Sequence, residues 1–171
     1  KCISMEPKFP GSYHDLGLCY LALDDEDKAQ ELFEKAIEIE PTYLDAYNNL
    51  GNILQRKGDY EGAIEQYIFA LGLDKATWKT QNNLGNAFRE LGKFNEAVQF
   101  FEQAIELNPT GLEIIHNAAN TYGEKSDFPA AIEKFERALE LLPAGPVSIS
   151  NLAIMNHIMG IEDKTADYIE Q

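Results

Sequence analysis

The stretch NNLGN occupies residues 48–52 and returns letter for letter at 82–86, an offset of 34. Sliding the whole 171-residue chain by that offset superposes most of it on itself. One column reads Leu16, Leu50, Leu84, Ala118, Leu152, and its neighbour Gly17, Gly51, Gly85, Ala119, Ala153. Three residues further on stand Tyr20, Leu54, Phe88 and Tyr122. A second block follows in each unit: Ala29, Ala63, Ala97, Ala131; then Phe33, Tyr67, Phe101, Phe135; then Ala36, Ala70, Ala104, Ala138. The unit closes at Pro41, Lys75, Pro109 and Pro143. A fixed period of this length marks a stacked repeat rather than a single globular core.

Within 44–57, Tyr47, Leu50, Gly51 and Leu54 recur at helical spacing and make one apolar stripe. Ala63, Tyr67 and Ala70 make a second. Turn signals separate the two: GD at 58–59, GK at 92–93, SD at 126–127. Asp25, Asp59 and Asp127 are placed to cap the second helix by accepting backbone N–H bonds. Each unit is therefore a helical hairpin that cannot bury both stripes alone and must stack on its neighbours. These columns resemble the tetratricopeptide repeat family over essentially the whole chain. The resemblance implies an all-α fold, a right-handed superhelical solenoid of antiparallel helix pairs.

The expected organisation is the end of a preceding repeat at 1–9, repeats at 10–43, 44–77, 78–111 and 112–145, and a partial or capping repeat at 146–171. Pro7 lies 34 before Pro41, as if the chain opened inside an earlier unit. At the far end Gly160 and Ile169 keep register, while Asn156 and Thr165 replace the column aromatic and alanine. With no initiator Met, a piece of a longer protein is expected. Gln81 interrupts a column that otherwise holds Tyr13, Tyr47, Ile115 and Ile149. Trp78, one turn earlier, is expected to fill that gap in the core, the alternative being an exposed anchor.

Composition excludes several classes of function. The formal charge of −15 opposes nucleic-acid binding, which needs clustered Lys and Arg, and equally a polybasic membrane anchor. The longest apolar run, LCYLAL at 18–23, is too short to cross a bilayer. Cys2 and Cys19 suggest neither a disulfide framework nor a zinc site, which favours a reducing, cytoplasmic setting. No catalytic constellation, metal site or cofactor is expected. His14 and His116 share a column three repeats apart, roughly 25 Å or more at helix-packing distances, so they cannot share a task. His157 has no visible partner, and the glycines follow the repeat rather than a phosphate loop.

The asparagines carry the functional expectation. Of twelve, ten fall in first helices. At about 100° per residue, Asp45, Asn48, Asn49, Asn52 and Arg56 cluster opposite Tyr47, Leu50, Gly51 and Leu54. They are thus expected to face away from the hairpin's own packing surface. By column Asn49, Asn83, Asn117 and Asn151 form one row and Asn52, Asn86 and Asn120 a second, with Asn82 beside Asn48 in a third column. Asn is a mediocre helix former, costing roughly 0.6 kcal/mol relative to Ala. Solvation alone does not call for two such rows, although shared ancestry of the repeats would also reproduce them.

The family resemblance implies that this face lines a concave groove, and the rows are similar to the asparagine ladder of protein O-GlcNAc transferase and kinesin light chain repeats. An amide pairs a donor with an acceptor and so matches a peptide backbone. With rungs about 10 Å apart and an extended chain advancing about 3.3 Å per residue, a rung would meet every third residue. The expected function is a scaffold that holds an extended segment of a partner protein. Specificity would come from Asp45, Arg56, Lys79, Arg89, Glu113 and His116, joined by Glu90 and Glu124, a nearly neutral set. The family's carboxylate clamp fits poorly, since its lysine column holds His14, Asn48, Asn82 and His116 and its arginine column Asn52, Asn86 and Asn120. The competing expectations are the repeat region of a larger enzyme that presents protein substrates, and a homo-oligomer formed through exposed solenoid ends.

Overall fold

A computed structural model describes residues 9–74, 77–143 and 145–160. Those residues form nine helices and no strand. In chain order they are α1 (Pro10–Ala22), α2 (Glu26–Ile39), α3 (Leu44–Arg56), α4 (Tyr60–Leu73), α5 (Trp78–Glu90), α6 (Phe94–Leu107), α7 (Leu112–Glu124), α8 (Phe128–Leu141) and α9 (Pro146–Met159). Of the expected remnant at 1–9 only Phe9 is among the described residues, and 161–171 of the expected last unit lie outside them.

Two units divide the chain between Ala87 and Phe88. In the first, α1 packs on α2, α2 on α3, and α3 on α4. In the second, α6 packs on α7, α7 on α8, and α8 on α9. The seams follow the sequence columns. A Cβ on Gly17 would lie 2.6 Å from the Phe33 ring, and one on Gly51 would lie 2.5 Å from Tyr67. The glycine column thus lets each first helix settle on the aromatic of the second. Ala119 and Phe135 make the same pairing in a core with Ala131, Leu139 and Leu152.

Each hairpin turn contains one left-handed residue in a single column: Asp24, Gly58, Gly92 and Ser126. Glycine adopts this conformation freely, and the other two tolerate it at a cost. The aspartate caps form as expected. Asp25 accepts from the Lys28 N–H, Asp59 from Gly62 and Asp127 from Ala130. Lys93 fills that column in the third hairpin and supplies no side-chain cap. The second helices end at Glu40, Asp74, Asn108 and Leu142, with φ of −133°, −144°, −138° and −139°; a proline follows all but Asp74 and disfavours helical backbone at the residue before it.

Two local expectations are corrected. Trp78 is half-buried rather than a core residue, and the Lys79 ammonium lies 5.7 Å from its ring centroid. Gln81 itself occupies the core, 6% exposed. Its Oε1 is buried without a hydrogen-bond partner among the described residues.

Candidate functional site

In the first unit the asparagines of α3 and α5 are neighbours. Asn83 Nδ2 donates to Asn52 Oδ1 at 2.9 Å. The same oxygen accepts from the Tyr67 hydroxyl at 2.7 Å, and Tyr67 also reaches Gln55 Oε1 at 3.2 Å. One turn earlier Thr80 Oγ1 donates to Asn48 Oδ1 at 2.8 Å. On the other side, Asn49 Nδ2 stands 2.9 Å from His14 Nε2 of α1. His14 is buried between the Phe33 and Tyr43 rings, and its Nδ1 faces Asp15 Oδ1 at 3.5 Å.

These amides are expected to face away from their hairpin's own packing surface. They lie half-buried along the seams with the first helices of neighbouring repeats, and Asn52 also meets Tyr67 of its own hairpin. Asn82 goes further and is 4% exposed. The cause is geometric: a helical wheel fixes direction relative to one partner helix, while a stacked repeat gives every first helix others. Burial of an amide is tolerated here because the neighbouring column supplies a complementary hydrogen-bonding group.

Beside this seam lies a cleft of about 380 Å³, lined by His14, Leu44, Asp45, Asn48, Asn49, Asn52, Thr77, Lys79 and Asn83. Asp45 and Lys79 are exposed at it and carry opposite charges. Of the other residues expected to set specificity, Arg56 is spent on an ion pair with Glu26 at 3.0 Å. Thr77 and Thr80 are cleft and seam residues that the sequence did not single out. Their signal was position, since Thr80 occupies the column of Ala46 and Ile114.

In the second unit Asn151 Nδ2 donates to Asn120 Oδ1 at 3.3 Å, repeating the Asn83–Asn52 bond. His116 Nε2 lies 2.7 Å from Ser148 Oγ, and burial holds the imidazole below its ordinary range. Asn117 and Asn120 are half-buried and Glu113 is exposed. Arg89 sits 3.6 Å from Glu90. Asn86 of α5 is half-buried. Tyr122 donates to Glu102 at 3.0 Å, and Lys134 pairs with the same carboxylate at 3.0 Å. Burial and that carboxylate push the Tyr122 phenol well above its usual range.

Among the described residues no group of His, Cys, Asp or Glu is arranged to hold a metal ion, and no helix is long and apolar enough to cross a membrane. The arrangement is that of an all-α helical-repeat solenoid in which, within each unit, neighbouring first helices are joined by side-chain hydrogen bonds. Family models described as tetratricopeptide repeat match residues 10–43 and 42–110. Together they span more than half of the chain, which belongs to the tetratricopeptide repeat family.

Solved structures agree. MamA is 20% identical at a TM-score of 0.83, covering 90% of each chain. YrrB, described as a TPR protein with an unusual peptide-binding site, is 18% identical at 0.83, covering 99% of this chain and 87% of its own. PilF of Pseudomonas aeruginosa is 25% identical at 0.81, covering 96% and 75%. No curated protein matches the sequence significantly. Membership of this family places the chain among protein-interaction scaffolds and indicates no catalytic family.

Proposed function

We propose that the chain holds an extended segment of a partner protein against the amide-lined face of its first helices. The observation that carries this reading is the cleft of the first unit, where Asn49, Asn52 and Asn83 meet Asp45 and Lys79. The internal amide bond orients these groups rather than exhausting them. An Asn side chain has two N–H donors and an acceptor oxygen with two lone pairs. Asn52 Oδ1 already accepts from Tyr67 and Asn83, so what Asn52 can offer a ligand is its Nδ2–H. Asn83 spends one N–H and keeps its oxygen. One rung thus offers a donor and an acceptor side by side, the complement of a peptide group.

Asn48 and Asn86, with Asn117, Asn120 and Asn151 in the second unit, are the corresponding positions, flanked by Arg89, Glu113 and His116. Asn82 is too deeply buried to take part. Asp45 and Lys79 give the cleft both charges, which selects side chains by pairing rather than by net attraction. The peptide-binding site of YrrB, on the same fold, supports the same class of ligand.

The test is selection from a random twelve-residue peptide library on the immobilised chain, then fluorescence anisotropy with the peptides obtained. Affinity should fall about tenfold, the worth of one or two hydrogen bonds, in Asn49→Ala and Asn83→Ala. Lys79→Glu should invert the preference for acidic peptide side chains. If no peptide is enriched, or if all three variants bind as the wild type does, the reading fails. Mass that rises with concentration and ignores these changes would indicate self-assembly instead.

A further inference from the structure

In α9 the face that carries polar residues elsewhere is apolar. The column of Asp45, Lys79 and Glu113 continues as Val147, that of Asn52, Asn86 and Asn120 as Ile154, and that of Arg56, Glu90 and Glu124 as Ile158. These three residues are 53%, 55% and 54% exposed. Spaced by seven and then four, they form one ridge about 16 Å long on a single side of the helix. A continuous exposed apolar ridge marks a contact surface. It continues the columns of the proposed peptide-binding face into α9 and shares Glu113 with it, but uses no residue of the cleft of the first unit.

The neighbouring helix supplies the second half of the pattern. Two bonds, His116 to Ser148 and Asn120 to Asn151, set α7 alongside α9. Glu113 shares its column with Val147, and Glu124 with Ile158, so each acid lies at the equivalent position on the neighbouring first helix. Both carboxylates are exposed, and neither makes an ion pair among the described residues. An apolar ridge bounded on one side by two unpaired acids, in a chain of charge −15, is complementary to an apolar ridge bounded by bases.

We propose that α7 and α9 form a docking surface for a basic amphipathic helix of a partner protein, its apolar stripe on Val147, Ile154 and Ile158 and its Lys or Arg side chains toward Glu113 and Glu124. The apolar positions of such a helix at i, i+7 and i+11 fall at the same 16 Å spacing, so the two stripes coincide along their length. A second copy of this chain is disfavoured as occupant. An antiparallel two-fold contact between α9 ridges would bring the flanking glutamates of both copies together, like charge against like.

The experiment uses the 171-residue chain and three labelled synthetic 18-residue peptides. One is an amphipathic helix of Leu and Lys, one replaces every Lys by Glu, and one scrambles the Leu and Lys order. In fluorescence anisotropy the Leu–Lys helix should bind, and the other two should bind at least tenfold more weakly. Ile154→Asn with Ile158→Glu restores residues those columns already use elsewhere, so the helical content is expected to persist. This variant should lose at least tenfold in affinity, as should Glu113→Gln with Glu124→Gln, whose side chains are exposed. Glu61→Gln with Glu65→Gln, exposed on α4 in the other unit, should leave binding unchanged. Equal binding of the scrambled peptide, or wild-type affinity in both α7 and α9 variants, overturns the proposal. So does a concentration-dependent dimer that the Ile154→Asn, Ile158→Glu variant dissociates.

Discussion

Asn83 Nδ2 lies 2.9 Å from Asn52 Oδ1, and the Tyr67 hydroxyl donates to the same oxygen from the core. The bond therefore links α3, α4 and α5 through one atom. Asn52→Ala would strip the buried Tyr67 hydroxyl of its shorter acceptor, leaving the 3.2 Å contact with Gln55. A net loss of about 1–3 kcal/mol is expected, the range for a buried polar group deprived of its partner. Asn83→Ala removes only one donor and should cost about 1 kcal/mol. The two changes should be less than additive by about 0.5–1.5 kcal/mol, because the second has no bond left to break. Urea unfolding of the four proteins in the cycle measures this. Additive losses would mean that the amide pair contributes nothing of its own.

Gly51 and Gly72 should respond to alanine with opposite signs. A Cβ at Gly51 meets the Tyr67 ring at 2.5 Å, and that ring is fully buried with its hydroxyl held by Asn52. The ring cannot withdraw without breaking that bond, so Gly51→Ala should cost about 1–3 kcal/mol as overpacking. Gly72 lies within α4 with nothing within 4 Å of its would-be Cβ. There, alanine should stabilise by about 0.5–1 kcal/mol through lower chain entropy. Thermal melts of the two single variants decide the matter, and equal signs would contradict the packing described.

The contrast shows what could be read without coordinates. The period of 34, the glycine–aromatic seam and the caps at Asp25, Asp59 and Asp127 concern contacts within one hairpin, where local spacing determines who meets whom. The amide rows concern contacts between hairpins. Nothing local in NNLGN says that Asn52 will meet Asn83, because that depends on the register of stacking. The same limit explains Trp78. Its place one turn before Gln81 was legible, but its half-exposed position beside Lys79 was not. The cleft was legible only in part: Asp45, Lys79 and the asparagines came from the wheel, whereas Thr77 entered through the shape of the chain between helices.

Gln81 is a local inconsistency that a substitution should relieve. Its column holds Tyr47, which stacks on Phe69 with ring centroids 4.6 Å apart, and Ile115, which is fully buried. A buried amide oxygen without a partner carries a desolvation penalty of about 1–3 kcal/mol. Gln81→Ile replaces the amide by the residue that the column uses at 115 and 149. It should raise stability by about 1–2 kcal/mol, a shift read directly in the urea midpoint with the slope unchanged. A neutral or destabilising result would mean that the oxygen is satisfied by solvent within the fold.

His116 gives the fold a dependence on pH whose sign follows from burial. The imidazole is packed near the Phe135 ring with centroids 6.2 Å apart, and its Nε2 meets Ser148 Oγ. Desolvation lowers its folded pKa from the usual 6.5. The unfolded chain then binds the proton more readily than the folded one, so stability increases with pH across the interval between the two values. The contribution is complete above pH 6.5 and is lost as the pH falls below it toward the folded pKa. Asp25 also has a depressed pKa, through its hydrogen bond with the Lys28 side chain, but its effect begins only below about 3.8, outside this window. The wild type should accordingly lose stability between pH 7 and pH 5. His116→Asn, the residue this column carries at 48 and 82, should flatten that part of the curve while retaining a hydrogen bond to Ser148. Urea midpoints at half-unit pH steps make the comparison, and identical slopes for the two proteins would show that His116 is not the group responsible.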